Sequence, residues 1–408
     1  MRRALAIALL VATGALVAVV LHRLTEMRDI HGSPTVEFKA TTTPQPVRPS
    51  LPWPMFGRDP ARTATSFGTR PPLRRVWIAG GRSLIEFPPA VGYGRLFYTD
   101  GGGRLYAISA ATGARAWRYD AHRGSAASPA VGPYAHGTVY ASFLNRLPAH
   151  EKDPHDGEVV ALAAGTGRVR WSAHIGASET SPLLLDGRVY VGGWDGVVYA
   201  LDARTGRRLW AYGMAGAIKG GLAAGAAVVY AGSYDGHVYA LDAATGRLVW
   251  RAAGQPSLFR HGTFYATPVV AYERVYVGST DGRMYSFGAR SGRIRWSYHT
   301  GGYVYGSAAA WKGLVLVGSY DHHLYAFDAA TGDVRWHFDA GAAISGSTTV
   351  VDGVAWFSSL GGRTFALEAR TGRLLWSGRG GKYAPAVSDG TRIFLVEHAA
   401  VEAFQPRR

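Results

Sequence analysis

The sequence predicts an all-β fold, an eight-bladed β-propeller of four-stranded antiparallel blades. Three observations carry that expectation: a unit of about forty residues that recurs along the chain, a strand-and-turn pattern inside each unit, and complementary fragments at the two ends of the array. The repeat is clearest at 238–250, VYALDAATGRLVW, which has six relatives: LYAISAATGARAW (105–117), VVALAAGTGRVRW (159–171), VYALDARTGRRLW (198–210), MYSFGARSGRIRW (284–296), LYAFDAATGDVRW (324–336) and TFALEARTGRLLW (364–376). The closing residues Trp117, Trp171, Trp210, Trp250, Trp296, Trp336 and Trp376, with Trp77 before them, are spaced by 40, 54, 39, 40, 46, 40 and 40 positions. A unit of about forty residues is the size of a four-stranded propeller blade.

Each unit divides into a Ser-Pro-x-Val-like stretch, a run such as RVYVGS, an Asp-Gly turn, a VYALDA run, a Thr-Gly turn and a final RLLW-like run. Asp195-Gly196, Asp235-Gly236 and Asp281-Gly282 supply the positive backbone angles that two-residue hairpins require. No apolar stripe with a period of 3.6 survives this glycine punctuation, so a helical reading fails. The alanine column (Ala110, Ala164, Ala203, Ala243, Ala289, Ala329, Ala369) suits close approach of a neighbouring blade, and Asp202, Asp242, Asp328 and Glu368 suit capping of the Thr-Gly turns. Each blade tryptophan is expected to lie flat between blades with its indole N–H on a backbone acceptor, a structural docking role.

The ends of the array complete one another. Residues 384–404, APAVSDGTRIFLVEHAAVEAF, supply three strands of a last blade without the Thr-Gly-x-x-x-Trp ending, while LRRVW at 73–77 has the tryptophan without the three strands before it. Joining them gives eight blades and removes the exposed edge of an unclosed ring.

Ahead of the ring, Met1-Arg2-Arg3 is followed by uncharged, mostly apolar residues from Ala4 to Leu21, long enough to span a bilayer. The expected organisation is a cytoplasmic tail (1–3), a transmembrane signal anchor (4–21), a Thr/Pro-rich linker (22–52) and the propeller (53–408), with the ring on the extracytoplasmic side of the cytoplasmic membrane. The chain has 408 residues and no cysteine, which excludes a disulfide scaffold, a thiol nucleophile, an iron–sulfur cluster and a lipid anchor on an N-terminal cysteine. The 44 Lys and Arg outnumber the 28 Asp and Glu, for a net charge of +16, but most arginines sit singly in turns. Such dispersed charge is not a nucleic-acid patch, and no nucleic-acid partner is expected.

The Ala-x-Asp-x-x-Thr-Gly-x-x-x-Trp pattern resembles the tryptophan-docking motif of the pyrroloquinoline-quinone (PQQ) repeat propellers, and WPMFGRDPARTATSFG at 53–68 resembles the segment that leads into them. The resemblance covers about residues 53–404 and implies the fold; the superfamily holds both quinoprotein dehydrogenases and non-enzymatic scaffolds of the BamB type. The dehydrogenases hold PQQ beside a calcium ion bound by Glu, Asn and Asp oxygens, with a carboxylate base. Here Glu179 has no matching Asn and Asp, and the adjacent-cysteine pair and large cofactor-covering insertions are missing, so neither PQQ nor calcium is expected.

Propeller ligands bind over the central channel, which points to the residues just before the innermost strands: Glu86, Glu179, Lys219, Tyr265, Tyr305, Ser345 and Lys382, a candidate funnel lining. The insertion at 252–265 adds Phe259, Arg260 and His261 as a candidate interface loop. The insertion at 143–157 holds His150, Asp153, His155 and Asp156 and reads as a solvated loop with no metal. The functional expectation is a membrane-anchored, non-catalytic scaffold that binds an envelope protein. The competing readings are a PQQ- and calcium-dependent quinoprotein dehydrogenase and an envelope saccharide sensor using Tyr265 and Tyr305.

Overall fold

The computed structural model describes residues 28–41, 51–148, 152–255 and 262–407. The expected tail (1–3), membrane anchor (4–21) and interface loop residues Phe259, Arg260 and His261 lie outside the described residues. Among the described residues no helix is long and apolar enough to cross a membrane. The secondary structure there is strand throughout, apart from a 3-10 turn at Tyr134–His136.

Eight sheets form the ring. Blades 1 to 7 span 90–120, 130–175, 183–213, 223–253, 269–299, 309–339 and 349–379, and blade 8 joins 387–406 to Leu73–Gly80. The middle strands, such as Val228–Gly232 and His237–Asp242, are buried on both faces by the flanking blades, so they read as near-continuous apolar runs. The outermost strands alternate: Val334–Asp339 has one half-buried and one exposed face. In all eight sheets the pairing of the last two strands slips by one residue just before the tryptophan, as between Arg208 and Trp210. Such bulges re-aim the side chain that follows.

That side chain is the blade-to-blade dock. The indole N–H groups of Trp117, Trp171, Trp210, Trp250, Trp296 and Trp336 donate to the carbonyls of Ala164, Ala203, Ala243, Ala289, Ala329 and Ala369, at 2.9–3.2 Å. Each ring lies on the Thr-Gly turn of the next blade, where a Cβ on Gly206 would come within 2.6 Å of the Trp171 ring. Glycine is required there twice over, since its φ is also +73°.

Closure follows the expected route. Leu73–Gly80 pairs antiparallel with Ala400–Pro406, placing Trp77 opposite Ala403 and Arg75 opposite Phe404. Arg75 also pairs with the buried carboxylate of Glu402. Blade 7 departs from four strands: Thr65–Ser66 adds a fifth, parallel to Thr349–Val351.

The segment 53–66, which has no counterpart in the repeat, winds around the inside of the channel and accepts hydrogen bonds from one innermost strand after another. Pro54, Pro60, Ala61, Thr63 and Ala64 take the amides of Val131, Ala224, Val270, Ala310 and Val350, at 2.6–3.0 Å, and Trp53 pairs with Val91. Its centre is Arg62, 1% exposed, whose guanidinium donates to the carbonyls of Phe56, Leu222 (2.7 Å), Ser181 (3.0 Å) and Pro182 (3.3 Å). Burial pulls this arginine down to about 9, partly opposed by Asp59.

Residues 28–41, within the stretch expected to be linker, lie along blade 5. Ile30 bridges to Ser297, Asp29 accepts from Arg283 and from the His299 amide, and Arg274 donates to the carbonyls of Ser33, Val36 and Glu37.

Candidate functional site

In a blade of four antiparallel strands, the loop entering the innermost strand and the turn between the second and third strands share one face of the ring. The funnel forms on that face. At its floor, hydroxyls tie neighbouring blades together: Ser181 accepts from the Ser128 amide, Thr267 from Gly221, Ser307 from Thr267 and Ser347 from Ser307, at 2.8–3.2 Å. Phe56 of the channel segment closes it from below. What remains is a small pocket of about 60 Å³, lined by Glu86, Glu179, Lys219, Tyr265, Tyr305 and Ser345, so six of the seven sequence-predicted residues converge.

Lys382 does not. It is exposed and absent from the lining, and Tyr383 takes its place. Blade 8 enters its inner strand with Pro385 where blade 7 has Ser347, so the position two residues earlier is 383; aligning the column on the sequence slipped it by one.

The charges in the funnel are partly paired. Lys219 lies 3.4 Å from Glu179, whose carboxylate also accepts from the indole N–H of Trp194 at 3.0 Å. The same ammonium sits over the rings of Trp194 (4.6 Å) and Tyr234 (5.3 Å). Burial raises Glu179, against the pull of Lys219 and Trp194. Burial also raises Glu86, and the negative charge of Glu179 adds to the effect. A chain of rings then runs around the rim: Tyr234 to Tyr265 (6.2 Å), Tyr265 to Tyr305 (5.2 Å), and Tyr305 to both Tyr303 (5.6 Å) and Tyr320 (5.1 Å). Tyr320 donates to Ser345 at 3.1 Å, fixing the far end.

Trp194, Tyr234 and Tyr320 escaped the sequence reading. All three occupy one column, the position directly before the aspartate of the turn between second and third strands, and that shared place is the signal that could have found them.

The family described as outer membrane protein assembly factor BamB, built on the PQQ-like repeat, matches residues 74–193, 154–216, 194–305 and 300–404. The chain belongs to this PQQ-like propeller family. Among solved structures, BamB from Moraxella catarrhalis aligns with a TM-score of 0.66 at 20% identity, over 82% of this chain and 97% of that one. The quinohemoprotein alcohol dehydrogenase of Comamonas testosteroni aligns at 0.71 with 16% identity, over 86% and 80%. A europium-containing methanol dehydrogenase aligns at 0.72 with 14% identity, over 88% and 98%. At these identities the likeness is one of fold. A curated relative, the serine/threonine-protein kinase AfsK of Streptomyces griseus, is 33% identical over 117 residues; the match spans 26% of this chain and 13% of that protein.

The quinone that names the repeat would need more room than the funnel of this PQQ-like propeller has. Sites for small molecules usually offer about 300–1,000 Å³. The funnel offers about 60 Å³, with Phe56 beneath and Lys219 engaged between Trp194 and Tyr234. These residues do not fit a bound tricyclic quinone. Among the described residues no three His, Asp or Glu side chains stand where they could share a metal ion. In the 143–157 insertion, Asp156 instead pairs with Arg123 at 2.9 Å, and Asn145 donates to the carbonyls of Asp153 and Asp156.

Proposed function

We propose that this propeller is a non-catalytic binding scaffold, anchored through its N-terminal segment on the extracytoplasmic side of a membrane, and that it docks an envelope protein on the funnel face. The observation that carries this reading is the channel filled by the protein's own segment 53–66. With its channel occupied in this way, the ring offers the funnel face as a docking surface. That surface has an aromatic rim with Tyr303 half exposed, around a partly neutralised acidic centre, and exposed tyrosines are common anchors in protein interfaces.

A photo-crosslinking residue placed at Tyr303 or Tyr234, compared with one at Arg204 on the opposite face, tests the assignment in cells. Protein adducts specific to the funnel face are expected. Adducts only from Arg204, or substrate-dependent dye reduction by protein supplied with PQQ and calcium, would overturn it. Loss of membrane sedimentation when residues 1–27 are removed tests the anchor separately.

A further inference from the structure

A second pocket lies on the other face of the ring, between blades 2 and 3. It measures about 590 Å³ and is walled by Leu51, Pro54, Met55, Tyr134, Leu184 and Leu185. This size falls within the range of about 300–1,000 Å³ of pockets that hold small molecules. Two cations, Arg58 and Arg188, also line it.

Neither arginine forms an ion pair among the described residues. Arg58 spends its Nε on the Pro52 carbonyl at 3.3 Å, and its two terminal nitrogens have no described acceptor. The Nε of Arg188 is buried without a hydrogen-bond partner. The two carboxylates at the pocket form no direct ion pair with them, although the charge of Asp59 acts on Arg58. Asp59 is turned inward onto the amide (3.0 Å) and hydroxyl of Thr63, and Asp186 stands in an exposed hairpin turn. The one buried donor without an acceptor, the Arg188 Nε, is costly, and an anion supplied by a ligand would relieve that cost while meeting the terminal nitrogens of both part-buried guanidinium groups. The chain just before the pocket, TTPQPVRPS at 42–50, contains no carboxylate, so it cannot be the source of the missing charge.

We infer that this pocket binds an anionic amphiphile, with a single carboxylate head group held by Arg58 and Arg188 and an apolar body laid against Met55, Leu184, Leu185 and Tyr134. The site does not rest on the scaffold reading: it is built on the opposite face and shares with the funnel only the channel segment, which gives Phe56 to the funnel and Pro54, Met55 and Arg58 to this pocket.

Isothermal titration of the full chain with dodecanoate tests this, beside dodecanol and dodecyltrimethylammonium as probes of equal tail. Saturable one-site binding of dodecanoate alone is expected, with Arg58→Gln and Arg188→Gln each weakening it on the order of tenfold. Leu185→Trp, which fills the groove and leaves both charges in place, should abolish binding while melting like the parent. A diazirine-bearing dodecanoate should label peptides containing Tyr134 or Leu184. No saturable binding, equal binding of the three probes, undiminished affinity in the arginine variants, or binding only of peptides through a C-terminal carboxylate would overturn the inference.

Discussion

The indole Nε1 of Trp77 donates to the carbonyl oxygen of Ala110 at 3.3 Å, across 33 residues of chain. This contact docks blade 8 on blade 1, because Trp77 belongs to the strand that completes blade 8 and Ala110 to the turn of blade 1. Trp376 docks differently. It packs on Trp356 (5.7 Å) and edge-on to Phe404 (6.1 Å), since blade 8 has no Thr-Gly turn to offer a carbonyl.

Trp77→Ala should therefore destabilise the protein more than Trp376→Ala, by the roughly 1 kcal/mol of a net hydrogen bond on top of the cavity each leaves. Thermal unfolding midpoints of the two variants compare them directly. Equal losses would count against this docking, as would unchanged melting after deletion of residues 70–80.

Arg62 holds four backbone carbonyls from the channel segment and blades 3 and 4. Arg62→Met strands all of them, and Arg62→Lys satisfies only a few with one ammonium. Losses of about 3 kcal/mol or more for Met, and a smaller loss for Lys, follow from the cost of unpaired buried acceptors. Amide exchange at Val131 and Ala224, whose N–H groups bind the segment, should quicken in step; protection unaltered in both variants would contradict the arrangement.

Glu86 carries a pH prediction. Burial first, and the charge of Glu179 second, raise its folded-state pKa above the ordinary 4.5. Its ionised form is thus disfavoured in the folded ring. Below the unfolded-state pKa the carboxyl is neutral in both states and exacts nothing; as pH rises through the folded pKa, stability is lost. Glu86→Gln should raise the melting temperature at pH 7 and change little near pH 3.5. A variant less stable at pH 7 would show Glu86 engaged by a cation instead.

A recurring clasp offers a further check. Asp235, Asp281 and Asp321 accept from the hydroxyl of the tyrosine four positions on, Tyr239 (2.5 Å), Tyr285 (2.6 Å) and Tyr325 (2.7 Å), and Asp195 does the same with Tyr199. Tyr285→Phe leaves the buried Asp281 one donor short and should cost about 1–2 kcal/mol by thermal denaturation. An indifferent response would reduce the clasp to coincidence of packing.

The ring and its closure were legible because both are written as period: Trp77 and the truncated last unit each lack what the other has. Docking of the indole N–H on a backbone acceptor was expected in kind, and the structure supplies the acceptor, the carbonyl of the alanine column. The channel segment was legible only as a lead-in. Its partners, from Val91 to Val350, are scattered over the whole array, and no local pattern encodes contacts of that range. The funnel column was readable wherever the blade entrance aligned unambiguously with the Ser-Pro pair, including Pro88-Pro89 of blade 1. It failed at Lys382, where Ala384-Pro385 imitates that pair one residue early and the register moves by one.

The segment threading the channel leaves the ribosome before any blade does, yet its hydrogen bonds wait for strands as late as Thr349–Val351. It behaves as a mandrel on which the later sheets are wound. Stacked repeats that touch only their neighbours can unravel one at a time from an end. Here a single peptide stitched to six sheets forbids piecemeal fraying, makes assembly slow through its many distant pairings, and binds the whole wheel into one cooperative unit.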